Sequence, residues 1–383
     1  MTTGATGVTI APYSATNPFN LWSLRKSIGV MRDVLPRFTY WLDMFNRQVN
    51  SIDEWIDFEK LPYQNRKLAP FVLPSGSGKP VYTDRANGYR FKPAYIKVKD
   101  AVDPARVMSK IPGIDAILGT DTPLTPAQRR DALKAGMTAQ HLITIQRRWE
   151  WMAAQAIIYG QVTIGGTEEY PLTTVNFGRN TNQSVALTAG SFWGTSGISI
   201  LSMLQTWADQ MMKPTYNSDG TGGFGGFPIR LTVGTSAWQA MRSDPEILSM
   251  MNKFYPNTGI DVQRALVSGE FVTKVGDLPF GGPTGAVVEI WLYRDSYVDD
   301  TGVEQPFLAP TDIVLTGHPD AISGHRCFGA IVDPYANWQA LDIFPRNWYE
   351  PGDPAVEYLL HQSAPLFVPV NPNATFRATV TAS

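Results

Sequence analysis

Apolar positions in the middle of the chain recur at helical spacing over an unusually long stretch. Between residues 125 and 159 they follow alternating steps of three and four, which is the period of one helical stripe. The stripe consists of Leu142, Ile145, Trp149, Met152, Ala156 and Tyr159. Thr125, Pro126 and Gln128 have the spacing of a capping box with proline in the first turn, and Gly160 supplies a stop. The pattern predicts a helix over residues 125–159, about 50 Å long at roughly 1.5 Å per residue.

On both sides of this helix the period changes to the alternation that is typical of strands. Residues 54–99 alternate apolar and polar positions around a Gly/Ser/Pro centre, which predicts an extended hairpin with a turn near residues 75–79. Residues 161–195 are also strand-like. From residue 197 a helix over 198–213 precedes strands and short helices, with a turn at Asp300-Thr301-Gly302. One long helix among strands and shorter helices indicates an α+β protein.

Residues 18–50 form a helical arm in this interpretation. Asn17 and Pro18 are a cap and a first-turn residue, and Pro36 should end or kink the helix. The arm is rich in aromatic residues, which a short segment cannot bury alone, so we expect them to contact a neighbour. They are Trp22, Phe38, Tyr40, Trp41 and Phe45.

Composition and charge indicate a globular chain that associates with copies of itself. The chain has 383 residues, 43% of them hydrophobic and 17% charged, which is enough for a large core. Its net charge of −2 hides a split: residues 1–160 carry 21 Lys and Arg against 13 Asp and Glu, whereas residues 161–383 carry 11 against 21. The halves are therefore +8 and −10. Such a split fits head-to-tail packing of identical subunits, with ordinary drift of charge along the sequence as the alternative.

The residue types that carry catalysis or metal binding are sparse and scattered. Cys327, the single cysteine, lies among apolar residues, which predicts a buried small side chain and excludes an intramolecular disulfide framework. His318 and His325 have no recognisable ligand cluster around them. His141 and His361 lie in apolar runs and should be packed in the interior. We therefore expect no enzyme activity, no cofactor and no metal, and the sequence has no apolar run long enough to span a membrane.

Two glycine-rich stretches match phosphate-binding loops only in part. In "SGSGK", which ends at Lys79, Leu73 stands where the motif needs glycine and Pro80 where it needs Ser or Thr. Residues 220–225 satisfy G-x-G-x-x-G but open no helix, so a surface loop is the better interpretation.

The last quarter of the chain carries an ordered series of motifs: Phe344-Pro345-Arg346-Asn347-Trp348, Gly352-Asp353-Pro354-Ala355, Glu357, and Gln362-Ser363-Ala364-Pro365-Leu366. In order and spacing they resemble the C-terminal signature of phage lambda-type major capsid proteins, the major capsid protein E family of tailed phages. "LAPFVLPSGSG" at 68–78 and "FKPAYIKVKDAVDP" at 91–104 resemble the extended loop of the same family.

The resemblance implies an α+β, HK97-like phage capsid fold. Residues 1–50 would be the N-terminal arm and residues 51–100 the extended loop (E-loop). Residues 101–195 and 316–383 would form the peripheral domain with a spine helix over 125–159. Residues 196–315 would be inserted as the axial domain.

The resemblance also implies a function. The chain would be a structural major capsid protein that assembles into pentamers and hexamers of an icosahedral head around double-stranded DNA. Its implied partners are copies of itself, a portal protein, a separate scaffolding protein, a decoration or cement protein, and packaged DNA bound without sequence preference; no membrane is implied. Its place would be the virion, after assembly in the cytoplasm of the bacterial host. The alternatives are an encapsulin-like nanocompartment shell of the same fold and a soluble oligomeric enzyme.

Two sets of residues follow as candidates for contacts. The intersubunit candidates are Trp22, Phe38, Trp41, Ser75, Gly76, Lys79, Arg90, Tyr95, Lys97, Arg346, Trp348 and Glu357. The candidates for an inner surface that faces DNA are Arg25, Lys26, Arg129, Arg130, Arg147 and Arg148.

Overall fold

The computed structural model describes residues 21–34, 39–53, 55–60, 87–102, 125–165, 171–213, 223–247, 266–267, 271–279, 287–299, 301–352 and 355–382. In chain order the described helices are α1 (Leu24–Asp33), α2 (Pro126–Tyr159), α3 (Ile200–Met212), α4 (Thr235–Arg242) and α5 (Pro319–Ile322). The first described strands are β1 (Arg47–Asn50), β2 (Ile56–Lys60), β3 (Asn87–Phe91), β4 (Ile96–Val102), β5 (Gln161–Ile164), β6 (Thr173–Asn176), β7 (Ser184–Ala186), β8 (Arg230–Val233) and β9 (Leu266–Val267). The later strands are β10 (Val272–Pro279), β11 (Val287–Tyr293), β12 (Ser296–Val298), β13 (Glu304–Pro306), β14 (Asp312–Thr316), β15 (Gly324–Phe328), β16 (Phe344–Glu350), β17 (Val356–Ser363), β18 (Pro365–Pro369) and β19 (Thr375–Thr379).

The long helix α2 has the bounds that the sequence predicted. Its capping box is formed: the Thr125 amide donates to Gln128 Oε1 at 2.9 Å, and the Gln128 amide donates to Thr125 Oγ1 at 3.4 Å. Gly160 follows the last residue with φ +68°, and a Cβ there would lie 2.8 Å from the Cβ of Arg179. Four of the six stripe residues are buried and the other two, Trp149 and Tyr159, are half-buried.

Helix α1 begins later than the sequence indicated. Ser23 is its cap, and Ser23 Oγ accepts from the Lys26 amide at 3.2 Å. Asn17 and Pro18, the predicted start, lie outside the described residues. The helix ends at Asp33, before Pro36.

The chain divides into two compact units. The first contains Met1–Pro36, Lys97–Thr144 and Ile343–Gln362. Its sheet has the strand order β16-β17-β4, and helix α1 packs beside β16. An apolar cluster of Val102, Leu133, Met137 and Leu359 joins the first part of α2 to this sheet.

The second unit contains Arg37–Ile96, Ile145–Asp342 and Ser363–Ser383. Its largest sheet has the order β7-β19-β14-β8-β11-β10-β9. The β8–β11 and β7–β19 pairs are parallel and the other pairs are antiparallel. Helices α3 and α4 bury their apolar faces in the same core as this sheet, together with Leu231, Ile313 and Phe376.

A second core of this unit surrounds the sheet β1-β15-β18. The last turns of α2 contribute Met152, Ile157 and Ile158, and the chain before β1 contributes Trp41 and Phe45. Phe45 meets Phe367 of β18 edge to face, with ring centroids 5.7 Å apart. This core thus fixes the segment that runs into β1.

Three hairpins complete the second unit. Strands β2 and β3 pair from Ile56↔Phe91 to Lys60↔Asn87, which is the base of the predicted extended hairpin; its turn near residues 75–79 lies outside the described residues. Strands β5 and β6 pair, and so do β12 and β13. Asp299 closes the last turn, since its Oδ1 accepts from the Thr301 and Val303 amides at 2.9 Å each. The predicted division into arm, extended loop, peripheral and axial domains stays a prediction.

Candidate interaction surface

The sheet of the first unit separates two kinds of side chain onto its two faces. In the β16–β17 register Trp348 lies opposite Tyr358, whereas Tyr349 lies opposite Glu357. Because successive side chains of a strand point to opposite faces, Glu357, Leu359 and His361 share one face. Leu359 packs against α2, so that face is the inner one.

The outer face carries positive charges placed over aromatic rings. The rings of Trp348 and Tyr358 are stacked, with centroids 5.4 Å apart. Lys99 Nζ lies 4.0 Å from the Tyr358 centroid, and the Arg346 guanidinium lies 5.4 Å from the Trp348 centroid. Lys97, two residues from Lys99 on β4, is exposed on the same side. We name Lys97, Lys99, Arg346, Trp348 and Tyr358 the cationic face.

The inner face holds an ion pair away from water. Lys134 Nζ lies 2.8 Å from Glu357 Oε1, and both side chains are fully buried. The ammonium group also lies 4.8 Å from the centre of the Trp22 ring. Burial lowers the pKa of Lys134, and the Glu357 carboxylate acts in the opposite direction. The pair fixes α2 to β17 by charge in addition to apolar packing.

Two turns further along α2, a pair of buried histidines repeats this connection. His141 Nδ1 and His361 Nδ1 are 2.8 Å apart, and His141 Nε2 lies 2.9 Å from Asp100 Oδ2. Because the Asp100 carboxylate accepts, His141 donates from Nε2, and the two Nδ1 atoms share one hydrogen bond in which one ring donates to the other. Burial, together with His141, lowers the pKa of His361 to about 4. The prediction that both histidines are packed in the interior is confirmed; the sequence did not show that they contact each other.

In the second unit, one buried carboxylate holds the backbone that precedes β1. Glu150 Oε1 accepts from the Tyr40 and Trp41 amides at 2.9 and 2.8 Å, and Oε2 accepts from the Leu42 amide at 3.1 Å. Burial raises the pKa of Glu150 to about 7, although the three hydrogen bonds act against the shift. Helix α2 thereby anchors residues 40–42.

The aromatic residues of the arm correct the sequence interpretation. At most 5% of each side chain is exposed for Trp22, Tyr40, Trp41 and Phe45. The expectation that these side chains need a neighbour to cover them is therefore wrong. Trp22 Nε1 donates to Asp131 Oδ1 at 2.9 Å, and Trp41 lies in the core around β1. The tertiary fold supplies a cover that the arm sequence alone cannot reveal.

Three intersubunit candidates lie in the interior of the chain. Trp22, Trp41 and Glu357 are buried in contacts within the chain, and their role between subunits stays a prediction. The physical reason is that each fills an interior position beside α2 or β1.

Arg90 and Tyr95 make contacts near the chain surface. The exposed Arg90 binds Asp57 through two hydrogen bonds of 2.7 and 3.1 Å across β2 and β3. The hydroxyl of Tyr95 accepts from the Val332 amide at 3.0 Å. The remaining intersubunit candidates, Phe38, Ser75, Gly76 and Lys79, lie outside the described residues.

The candidates for a surface that faces DNA have different surroundings. Arg25 and Lys26 are exposed on α1, and Lys26 binds Asp131 at 2.9 Å. Arg129 and Arg130, in the first turn of α2, are half-buried.

Arg147 and Arg148 differ although they are adjacent. Arg147 is half-buried, donates to Asp295 at 3.1 Å and also donates to the Ser296 carbonyl oxygen. Its guanidinium is thus bound within the second unit, and its assignment as a DNA-facing residue stays a prediction. Arg148 is exposed, with its guanidinium 5.3 Å from the centre of the Trp151 ring.

One exposed loop was missed from the sequence. Between β15 and β16, Val332, Tyr335 and Trp338 expose 69%, 73% and 52% of their surface. Asn337 and Trp338 both have positive φ, 53° and 51°, which is an unusual conformation for a tryptophan. The only signal in the sequence was the Asp-Pro turn at residues 333–334, which predicts a loop but not what it exposes.

The described residues contain no group of three or more His, Cys, Asp or Glu that could hold a metal. His318 caps α5 by accepting from the Asp320 amide at 3.3 Å. Cys327 is buried as predicted, and burial raises the pKa of its thiol to about 12. Within the described part of the chain, the helices are too short or too polar to span a membrane.

The sequence is similar to head proteins of tailed phages over most of its length. A family model described as phage major capsid protein E matches residues 34–380. The P21 prophage-derived major head protein of Escherichia coli O6:H1 is 26% identical over 363 residues, covering 92% of this chain and 97% of that protein. The major capsid protein of Escherichia phage lambda is 26% identical over 314 residues, covering 80% of this chain and 83% of that protein.

The fold is similar to the crystal structure of a prophage capsid protein from Escherichia coli CFT073. The TM-score is 0.66 at 20% identity, and the match covers 94% of this chain and 99% of the other. At this identity the likeness shows the fold alone, and it confirms the α+β, HK97-like architecture that the sequence resemblance implied.

Proposed function

Because this chain belongs to the phage major capsid protein E family, we propose that it is the major capsid protein of a tailed phage and forms the icosahedral head. The observation that carries this conclusion is the family match over nearly the whole chain, from residue 34 to residue 380. The role is structural. The relatives named above are head proteins of phages and prophages, which supports a phage head over a nanocompartment shell.

The subunits would associate as pentamers and hexamers. Two surfaces of the described chain support such contacts. One is the cationic face, which includes the candidates Lys97, Arg346 and Trp348. The other is the exposed loop with Val332 and Trp338, whose apolar surface is of the kind that protein interfaces cover.

The further partners are proposals by analogy with a phage head: a portal protein, a separate scaffolding protein, a decoration or cement protein, and packaged double-stranded DNA. A chain of net charge −2 would bind DNA weakly and without sequence preference. Exposed Arg25 and Arg148 are the better candidates for that contact, because Arg147 is bound to Asp295. The place would be the virion, with assembly in the cytoplasm of the host.

The test is the mass of the particles that the full chain forms, by sedimentation and negative-stain microscopy, with and without a co-expressed scaffolding protein. We expect closed shells of many copies. A small oligomer of uniform mass under both conditions would contradict the proposal and favour the soluble oligomeric enzyme. A shell that packages a protein cargo and has no portal would favour the nanocompartment.

A further inference from the structure

We propose that the exposed loop between β15 and β16 docks helix α1 of a second copy of this chain. This contact rests on the proposed function, since it is one through which copies of a capsid protein associate. The receiving surface, which we call the apolar patch, consists of Ile52, Val332, Tyr335 and Trp338. The helix contributes Leu24, Ile28 and Met31, which we call the α1 stripe.

The apolar patch is fixed by backbone hydrogen bonds where β1 and β15 end. The Ser51 amide donates to the Phe328 carbonyl oxygen at 3.0 Å, so Ile52 leaves the sheet beside the chain that enters the loop. The Ile331 amide donates to the Gln339 carbonyl oxygen at 3.0 Å and closes the loop. Between 52% and 73% of each patch side chain is exposed. The patch is therefore an apolar surface that the folded subunit holds in place and leaves uncovered.

Trp338 is placed at a cost to its own subunit. Its φ is 51° and that of Asn337 is 53°, a left-handed conformation that bulky residues rarely adopt. About half of the Trp338 surface is exposed, so the ring gains little burial in return within its own chain. Asparagine or glycine would occupy this position with less strain. A strained and exposed ring of this kind indicates a contact with a partner, since tryptophan is enriched at the energetic centres of protein interfaces.

Helix α1 carries an apolar stripe that its own subunit does not cover. Leu24, Ile28 and Met31 follow steps of four and three, so they lie on one face of the helix. Leu24 is 47% exposed and Ile28 is 36% exposed, whereas Ser27 is the only buried residue of the helix. A helix that turns its apolar residues outward in this way suits docking on an apolar surface of another chain.

Charge identifies which surface receives the helix. Helix α1 contains three basic residues and one acidic residue, and Arg25 and Arg32, seven positions apart, lie on the face next to the stripe. The segments that carry the patch, residues 48–53 and 329–342, contain three Asp and no Lys or Arg. Two α1 helices or two patches in contact would bring like charges together. A helix on a patch brings opposite charges together, and a second copy supplies both.

Such a contact joins two different surfaces of the same chain. Contacts of this heterologous kind close into rings when the rotation between copies allows it, which is the geometry that pentamers and hexamers need. The exposed patch has an area on the order of 500 Å². A standard interface buries about 800 Å² on each partner, so the docked helix forms one part of a larger interface.

Two other occupants are possible for these surfaces. A decoration or scaffolding protein could cover the apolar patch, but it leaves the α1 stripe without a role. Packaged DNA could contact Arg25, but phosphates gain nothing from Leu24 and Ile28. A second copy accounts for both apolar surfaces and for both sets of charges.

The first experiment removes apolar contacts on either side. Leu24→Gln/Ile28→Gln and Trp338→Asn are compared with Leu172→Gln/Val298→Gln, whose side chains are 68% and 66% exposed. We expect Trp338→Asn to unfold at or above the wild-type denaturant midpoint, because asparagine tolerates the left-handed conformation. We expect the helix and patch variants, but not the control, to raise the concentration needed for assembly by about tenfold or more.

Assembly of both variants at the wild-type concentration, or an equal defect in the control, would overturn the inference. If Leu24→Gln/Ile28→Gln shifts the denaturant midpoint, Arg25→Glu/Arg32→Glu replaces it, because both arginines are exposed. The same rise in the assembly concentration is expected of that variant.

The second experiment tests the pairing of two different surfaces. Ile28→Cys, Val332→Cys and the double variant are treated with a short bis-maleimide; the native Cys327 is buried and does not react. We expect the double variant to give a ladder of dimers, trimers and longer linked chains, and each single variant to stay monomeric. Dimers from a single variant, or no ladder from the double variant, would contradict the pairing.

The outcomes separate the two proposals. If the wild-type chain forms no shells, the proposed function fails, and the ladder from the smaller oligomers still decides the docking contact. If the wild type and the variants form shells at the same concentration, only the docking inference fails. If Trp338→Asn impairs assembly but the α1 variants do not, another occupant covers the patch and the assignment of α1 is wrong.

Discussion

The buried pair of Lys134 and Glu357 makes a quantitative prediction about the stability of the first unit. We expect Lys134→Met to lower the free energy of unfolding strongly. The substitution keeps the apolar stem but leaves the Glu357 carboxylate in the interior without a counter-charge. Glu357 Oε2 already has no hydrogen-bond partner among the described residues, so no second donor compensates.

The magnitude follows from burial. Breaking a fully buried ion pair from one side costs about 3–5 kcal/mol, because an unpaired charge remains in the interior. The cation–π contact with Trp22 adds about 0.5–2 kcal/mol at a buried site. In the double variant Lys134→Met/Glu357→Met both charges are gone, so we expect most of the loss to be recovered, to within about 2 kcal/mol of the wild type.

The assay is urea unfolding of the unassembled subunit, with the m-value checked for constancy between variants. Lys26→Met is the matched control, because Lys26 and Asp131 are 2.9 Å apart but about half-exposed. Such surface pairs contribute at most about 1 kcal/mol. The reasoning is refuted if Lys134→Met costs no more than Lys26→Met, or if the double variant is no more stable than the single one.

Three further outcomes are expected. The pKa of His361 is about 4 in the folded chain against an ordinary 6.5, so the unfolded chain takes up the proton first as the pH falls. The contribution of His361 to the unfolding free energy should therefore drop by roughly 3 kcal/mol from the higher to the lower of these pH values. It is measured as the difference between the wild type and His361→Gln, because Glu150, with its raised pKa, acts in the opposite direction over the same range. A difference that does not change with pH would contradict this. Glu150→Ala leaves three buried amides without an acceptor, so the free energy of unfolding in urea should fall by at least about 3 kcal/mol. A fall below about 1 kcal/mol would show that water replaces the carboxylate. Arg147→Glu should lower the free energy of unfolding by about 2 kcal/mol or more, whereas Arg148→Glu should change it by less than about 1 kcal/mol. Equal shifts of the thermal midpoint in the two variants would refute the different surroundings assigned to these arginines.

The features that the sequence predicted correctly are those set by local physics. Helix α2 was predicted because its apolar period, its capping box and Gly160 all act within a few residues of each other. The burial of Cys327 followed from its apolar neighbours. Such signals depend on the chain segment itself and need no knowledge of the fold.

The features that it did not predict depend on residues far apart in the chain. Trp41 is covered by a core drawn from several segments, and Glu150 accepts from amides more than a hundred positions away. His141 and His361 are 220 positions apart. The cationic face likewise exists only after β16, β17 and β4 have paired. Periodicity gives the side on which a residue lies, but tertiary pairing decides which side chain lies opposite.

The burial of Cys327 gives the chain a built-in reporter. It lies on β15 between Val49 of β1 and Leu366 of β18, and it is the only cysteine of the sequence. With its thiol inaccessible and its pKa raised, a thiol reagent reacts only when these strands separate. The labelling rate divided by that of a free thiol gives the equilibrium constant of this local opening, and the logarithm of that constant gives its free energy. Measured on separate subunits and on assembled particles, it reports how strongly association holds the strands closed, without a single substitution.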